Sequence, residues 1–143
     1  MEKRRIKLDN SLFLAWGTSV IAMAGSLYFS EIKQYEPCEL CWYQRILMYP
    51  LVILLLIAYM KKDFKISLYT SVLSGIGACI SLYHYLIQKV TFFSETAPAC
   101  GRVPCTGQYI NWGGFITIPF LALTAFIIIF ILSLYMLKNI KED

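Results

Sequence analysis

Charge is what this sequence has least of. Asp, Glu, Lys and Arg make up 15% of its 143 residues, against roughly a quarter in an ordinary soluble domain. Repeats, low-complexity tracts and separate domains are missing too. So little charge excludes a disordered chain, which stays open by carrying many charges and few apolar groups. It also weighs against a soluble globular enzyme and a soluble disulfide-stapled miniprotein. A chain this short buries too small a share of its surface to hide a composition that is 58% hydrophobic, with a mean hydropathy of +0.60. The net charge of +4 is too small to argue for a nucleic-acid partner. One membrane domain, residues 1–143, fits what remains, with membrane lipid as its surroundings.

The few charges punctuate the chain. None falls between Asp9 and Glu31, and residues 12–29 are almost wholly apolar. None falls between Lys65 and Lys89, nor from Val103 to Leu137. Each stretch approaches the roughly 20 residues a spanning helix needs. The remaining run, 46–60, covers only about 22 Å at 1.5 Å per residue, short of a hydrocarbon core of about 30 Å. That helix must start near Leu40, which draws Cys41, Trp42 and Arg45 to the membrane surface. Pro50 kinks it without ending it. The expected fold is all-α, a four-helix transmembrane bundle with spans near 12–30, 40–60, 66–87 and 115–137. A redox loop is expected near 89–111, where Pro98, Gly101, Pro104 and Gly107 supply turn chemistry. Ser67, Ser71, Gly75 and Cys79 recur every four residues and are expected to form a packing stripe on the third helix.

Nine Lys and Arg residues fall at the two termini and in the loop after the second span, and four fall on the other side. The positive-inside rule then places both termini in the cytoplasm. Trp42, Tyr43, Tyr83, Tyr85, Phe92, Phe93, Tyr109 and Trp112 gather towards the outer face as an aromatic belt. Basic residues followed by an apolar run and Ala22-Met23-Ala24 also fit a cleaved signal peptide. The run continues past that point to Phe29, which favours a retained helix.

Four of the five cysteines fall on the outer side. Cys38 and Cys41 form a C-x-x-C at the start of the second helix, and Cys100 and Cys105 form a C-x4-C in the outer loop. An oxidising exterior lets disulfides persist. A C-x-x-C at a helix N-terminus closes a small ring and has a thiolate favoured by the helix dipole. Glu36 and Glu39 oppose that thiolate. Arg45, four residues after Cys41 and on the same helical face, is a candidate for stabilising an anion there. Bland readings stand beside these. The pairs could be inert structural disulfides in a non-enzymatic scaffold. All four could bind zinc, although an oxidising exterior opposes four thiolates, and no metal is expected. Arg45 could simply snorkel. His84 could be a hydrogen-bonded filler, or could give a hydrogen bond or proton to an outer site. Cys79 has no partner in sequence, and helix packing is its expected role.

The segment Cys38-Glu39-Leu40-Cys41-Trp42-Tyr43-Gln44-Arg45 resembles the C-x-L-C-x-x-Q-R pattern of the DsbB family of disulfide-bond formation proteins. Leu82-Tyr83-His84-Tyr85, the Cys100–Cys105 loop and the Gly114-to-Pro119 segment match as well. The resemblance runs from about Ser11 to Leu137, and the compact loop is most similar to BdbC-type thiol-disulfide oxidoreductases of Gram-positive bacteria. It implies a protein of the bacterial cell membrane with its active cysteines on the extracytoplasmic side. It implies reoxidation of a thioredoxin-like, DsbA-like thiol oxidase, with electrons passed to the quinone pool, menaquinone being favoured over ubiquinone. Carried over by motif, Cys38, Cys41, Cys100 and Cys105 are catalytic. Disulfides Cys38–Cys41 and Cys100–Cys105 exchange through a transient Cys38–Cys105 bond. Cys41 then faces the quinone as a thiolate, beside Arg45 and His84. The vitamin K epoxide reductase type shares this chemistry, but there the loop pair precedes the C-x-x-C, the reverse of the order here.

Overall fold

A computed structural model describes residues 2–95, 113, 114 and 116–142, apart from the side chains of Phe93 and Ser94. Helix α1 (Glu2–Leu27) passes into a single π-helical turn, Tyr28–Ile32. Helix α2 (Glu39–Lys61) and a 3-10 turn, Phe64–Ile66, lead into α3 (Ser67–Lys89). The short α4 (Thr91–Glu95) follows, and α5 (Ile118–Lys141) is the last helix described. Four of these helical segments are long and apolar enough to cross a membrane. The first extends at its N-terminal end beyond the apolar run, because its basic turns continue the same helix.

Local chemistry sets the ends. Cys38 is the extended residue before α2, and its carbonyl accepts the first helical bond, from the Trp42 amide at 3.1 Å. Pro50 lies inside α2, and the helix continues through it. Lys62 closes α2 in the left-handed conformation, with its N–H on the Ala58 carbonyl, as C-terminal caps commonly do. Gly113 and Gly114 both take positive φ, which glycine adopts without a Cβ penalty. Lys89 Nζ donates to the Gly114 carbonyl at 2.6 Å, tying that turn to the end of α3.

The helices form a ring in the order α1, α2, α3, α5, with each packed on its two neighbours. Leu12, Leu51, Leu55, Phe126, Ile129 and Met136 are fully buried at its centre. Large apolar side chains point outward, Ile21 and Met60 each 74% exposed. In water that much exposed apolar surface would drive association; in lipid it is the solvated face. Trp42, Tyr43, Tyr83 and Phe92 are exposed as well. At the opposite end of α2, Lys62 pairs with Asp9 of α1 at 3.1 Å.

The packing face of α3 corrects the expected stripe. Ser67, Thr70, Ser71, Ser74, Gly77, Ser81 and His84 are buried, whereas Cys79 is exposed. The cause is geometric. A strict four-residue step advances about 40° beyond a full turn, so three steps carry Cys79 about 120° away from Ser67. Mixed steps of three and four stay on one face. Small residues there let α5 approach closely. Thr70 and Ser133 share a hydrogen bond of 2.8 Å between the helices, and a Cβ on Gly77 would overlap the Phe126 ring.

Candidate active site

Two cysteines open the site. Cys38 is buried and Cys41 half-buried, and three residues on a helix bring their side chains to one face. The sulfurs stand 3.3 Å apart, against about 2.05 Å in a disulfide. The structure describes the pair as two thiols, already close to bonding distance. Cys38 donates its S–H to Cys41. That hydrogen bond, then burial, pushes the Cys38 thiol up to about 12, with a contact from His84 acting the other way. Cys38 therefore holds its proton more tightly than an ordinary thiol. The first-turn amides of α2 and the positive end of its dipole would favour a negative charge placed beside them.

His84 comes from the C-terminal part of α3 and is buried. Its Nε2 is 3.5 Å from Cys38 Sγ, and its Nδ1 is 3.1 Å from Gln44 Nε2. The Gln44 amide N–H donates to Nδ1, which leaves the ring proton on Nε2, facing sulfur. A directed chain results, from Gln44 to His84 to Cys38 to Cys41. Gln44 is itself buried. Its place in the motif was visible in the sequence, but nothing there assigned it a role. The available signal was a polar amide in an apolar helix, which must find a partner.

On the other flank of Cys41 lies a cavity of about 480 Å³ between α1, α2 and α5. Cys41, Gln44, Arg45, Met48 and Tyr49 line it from α2, and Leu121 and Phe126 are among its apolar walls. Arg45 shares the cavity with Cys41, as the four-residue spacing suggested. Its guanidinium donates to the Ser26 carbonyl at 3.0 Å and to Ser30 Oγ at 3.4 Å. It also stands 5.5 Å from the centre of the Trp42 ring. Those acceptors lie in and beside the π-helical turn, where the wider winding loosens the ordinary ladder; such turns often mark functional sites. Among the described residues, two of the five guanidinium N–H groups are used this way and three remain. Tyr49 Oη is buried in the cavity wall with no hydrogen-bond partner among the described residues. Glu39 accepts a hydrogen bond from Tyr43 on the exposed face.

The structure thus brings Cys38, Cys41 and His84 together, and Cys41 with Arg45. His84 is not among the residues lining the cavity; Gln44 stands between the two. Cys100, Cys105 and the loop around them lie outside the described residues.

The family model for disulfide bond formation protein DsbB matches residues 9–136. The chain is 62% identical over 133 residues to a "Probable disulfide formation protein C" of Halalkalibacterium halodurans, covering 93% of this chain and 97% of that one. It is 57% identical over 132 residues to "Disulfide bond formation protein C" of Bacillus subtilis, covering 92% and 95%. A prophage-derived "disulfide bond formation protein B" of the same organism is 37% identical, covering 100% and 97%. No solved structure matches. With paired cysteines opening one of four membrane-length helices and a match over nearly its whole length, this chain belongs to the DsbB family of disulfide bond formation proteins, as a multi-pass membrane thiol-disulfide oxidoreductase.

Proposed function

We propose that the chain reoxidises a thioredoxin-like, DsbA-like thiol oxidase outside the cell membrane and passes the electrons to a quinone, menaquinone before ubiquinone. The observation that carries this reading is the shared cavity. A reactive sulfur and an arginine face an apolar space within the spanning bundle, which is where a lipid-soluble acceptor would enter. The donor set fits such a group. Apolar walls suit a hydrophobic ring and tail. The Tyr49 hydroxyl, which has no partner among the described residues, and the Arg45 N–H groups suit its oxygens. A quinone bound there would take up two electrons and two protons.

The chain's own groups do the rest. A partner thiolate attacks Cys100, forming a mixed disulfide and releasing Cys105. Cys105 attacks Cys38, and Cys41 leaves with the electron pair of the broken S–S bond. His84 steadies the Cys38 sulfur during that exchange, held in orientation by Gln44. Arg45 and the α2 N-terminus stabilise the Cys41 thiolate. The partner's second thiol then expels Cys100 from the mixed disulfide, and Cys100 attacks Cys105, re-forming that pair and releasing Cys38. The Cys38–Cys41 dithiol now holds the two electrons and two protons that an acceptor in the cavity would remove as the Cys38–Cys41 disulfide re-forms. Both termini lie in the cytoplasm in this reading, by the distribution of Lys and Arg, and the four cysteines act on the opposite side.

The test is anaerobic mixing of the purified protein, a reduced thioredoxin-like partner and a menaquinone analogue, with quinone absorbance followed over time. Steady reduction by the wild type and none by Cys41→Ser is the expected result. Full turnover by Cys41→Ser, or no reduction by the wild type, overturns the reading.

A further inference from the structure

Cys38, Cys41 and His84 bring two sulfurs and an imidazole nitrogen within 4.8 Å of one another, a grouping that could hold a metal ion. A tetrahedral zinc site with Zn–S of about 2.3 Å and Zn–N of about 2.0 Å sets S···S near 3.8 Å and S···N near 3.5 Å. The observed separations are 3.3 Å for Cys38 Sγ to Cys41 Sγ and 3.5 Å for Cys38 Sγ to His84 Nε2. Small side-chain rotations separate the first geometry from the second. We propose that the reduced Cys38–Cys41 pair, with His84, is a capture site for a thiophilic divalent cation such as Zn²⁺.

The chemistry is balanced without any electron transfer. Two thiols and the cation give a dithiolate complex and release two protons to solvent. With a neutral imidazole the complex carries no net charge, which suits a site at an apolar boundary better than an isolated charge does. Gln44 is placed to support it. Rotation of its amide presents the side-chain carbonyl to His84 Nδ1–H and leaves the Nε2 lone pair for the metal. Metal-bound histidines are usually oriented this way. The fourth position of a tetrahedral site would take water. The oxidised pair offers no thiolate, so the site exists only in the reduced chain. Occupancy would lock the dithiol against oxidation, a brake set by redox state.

The experiment needs neither quinone nor thiol partner, so its failure is distinct from failure of the proposed function. The Cys100→Ser/Cys105→Ser double variant removes the loop thiols. In detergent, reduced anaerobically with a phosphine, it is titrated with Cd²⁺ while thiolate-to-cadmium ultraviolet absorption is followed. One equivalent should bind, and Zn²⁺ should displace it. Adding Cys38→Ser should abolish the band. Gln44→Leu should weaken binding about 10- to 100-fold, the usual loss for such a supporting group. The diamide-oxidised protein should bind nothing. No stoichiometric band in the reduced double variant overturns the proposal. So does undiminished binding by Cys38→Ser, by Gln44→Leu or by the oxidised protein.

Discussion

Replacing Arg45 separates two roles that the structure assigns to one side chain. Its guanidinium straps α2 to α1 through Ser26 and Ser30 and also lines the cavity beside Cys41. The strap rests mainly on the 3.0 Å bond to the Ser26 carbonyl, because a contact of 3.4 Å is past the usual range. A hydrogen bond from a charged group contributes about 1.5–3 kcal/mol, so Arg45→Ala should cost the fold about 2 kcal/mol. The catalytic effect follows from where charge develops. Under the proposed function, a neutral acceptor gains little from the guanidinium, while the Cys41 thiolate and the charge that reduction brings into the cavity gain more. Stabilisation that grows towards the transition state raises kcat more than it lowers KM. One such charged contact of about 1.5–3 kcal/mol corresponds to roughly 10- to 100-fold in rate. Arg45→Ala should therefore lower kcat by that factor and raise the quinone KM only a few-fold. Arg45→Lys keeps the charge but loses the rigid fork, and should lie between Arg45→Ala and the wild type. Stopped-flow quinone reduction at saturating reduced partner gives both constants, and thermal melts in detergent report the strap. If Arg45→Ala melts earlier but keeps its kcat, Arg45 is a helix strap only, and the electrostatic role fails.

Three other outcomes are expected. In the reduced chain, with chelator present, iodoacetamide should modify Cys41 well before Cys38. With its pKa raised to about 12, Cys38 holds about a thousandfold less thiolate than an ordinary cysteine below pH 9, and its labelling should rise only as pH climbs towards that value. Equal labelling by peptide mass spectrometry at neutral pH would contradict the donor direction within the pair. Gly77→Val should destabilise the bundle by more than the about 1–3 kcal/mol typical of overpacking, since its side chain meets the Phe126 ring. Phe126→Leu should restore part of the loss, measured as a shift in Tm. Cys79→Ala should leave turnover near wild type and stability within about 0.5 kcal/mol, as for an exposed side chain; a large loss of rate in a folded variant would give Cys79 a role that its outward position does not show.

The four membrane-length helices were legible because bilayer thickness writes itself into the spacing of charges. The shortfall of the 46–60 run was informative for the same reason, since it required the helix to take in Cys41 and Arg45. The face of α3 was not legible from a four-residue repeat. Ser67 and Ser71 are buried, but the repeat drifts round the helix, and Cys79 ends up facing outward. What fixed the true face was the Phe126 ring seated on Gly77, and a ring on α5 leaves no mark in the α3 sequence. Gln44 was hidden in another way. Its partner, His84, is 40 residues away on another helix, and no local spacing links the two.

Adjacent residues on α2 serve opposite flanks of Cys41, and this explains why the amide and the guanidinium stand side by side. Gln44 and Arg45 follow Cys41 by three and four positions, so both lie over its turn, about 100° apart round the helix. Gln44 reaches towards His84 on α3, and from there a chain of hydrogen bonds returns through Cys38 to the Cys41 sulfur. Arg45 reaches towards α1 and the cavity. Polar contacts lie on one flank, and the cavity lies on the other. Exchanging the two, as Gln44→Arg with Arg45→Gln, would set a guanidinium against His84 and an amide on the Ser26 carbonyl. Composition, helix length and the dithiol would all be preserved. If turnover rests on this division, the swapped variant should fold and keep alkylatable cysteines but lose quinone reduction. Wild-type rates in it would show that only the charge near Cys41 matters, whichever flank it occupies.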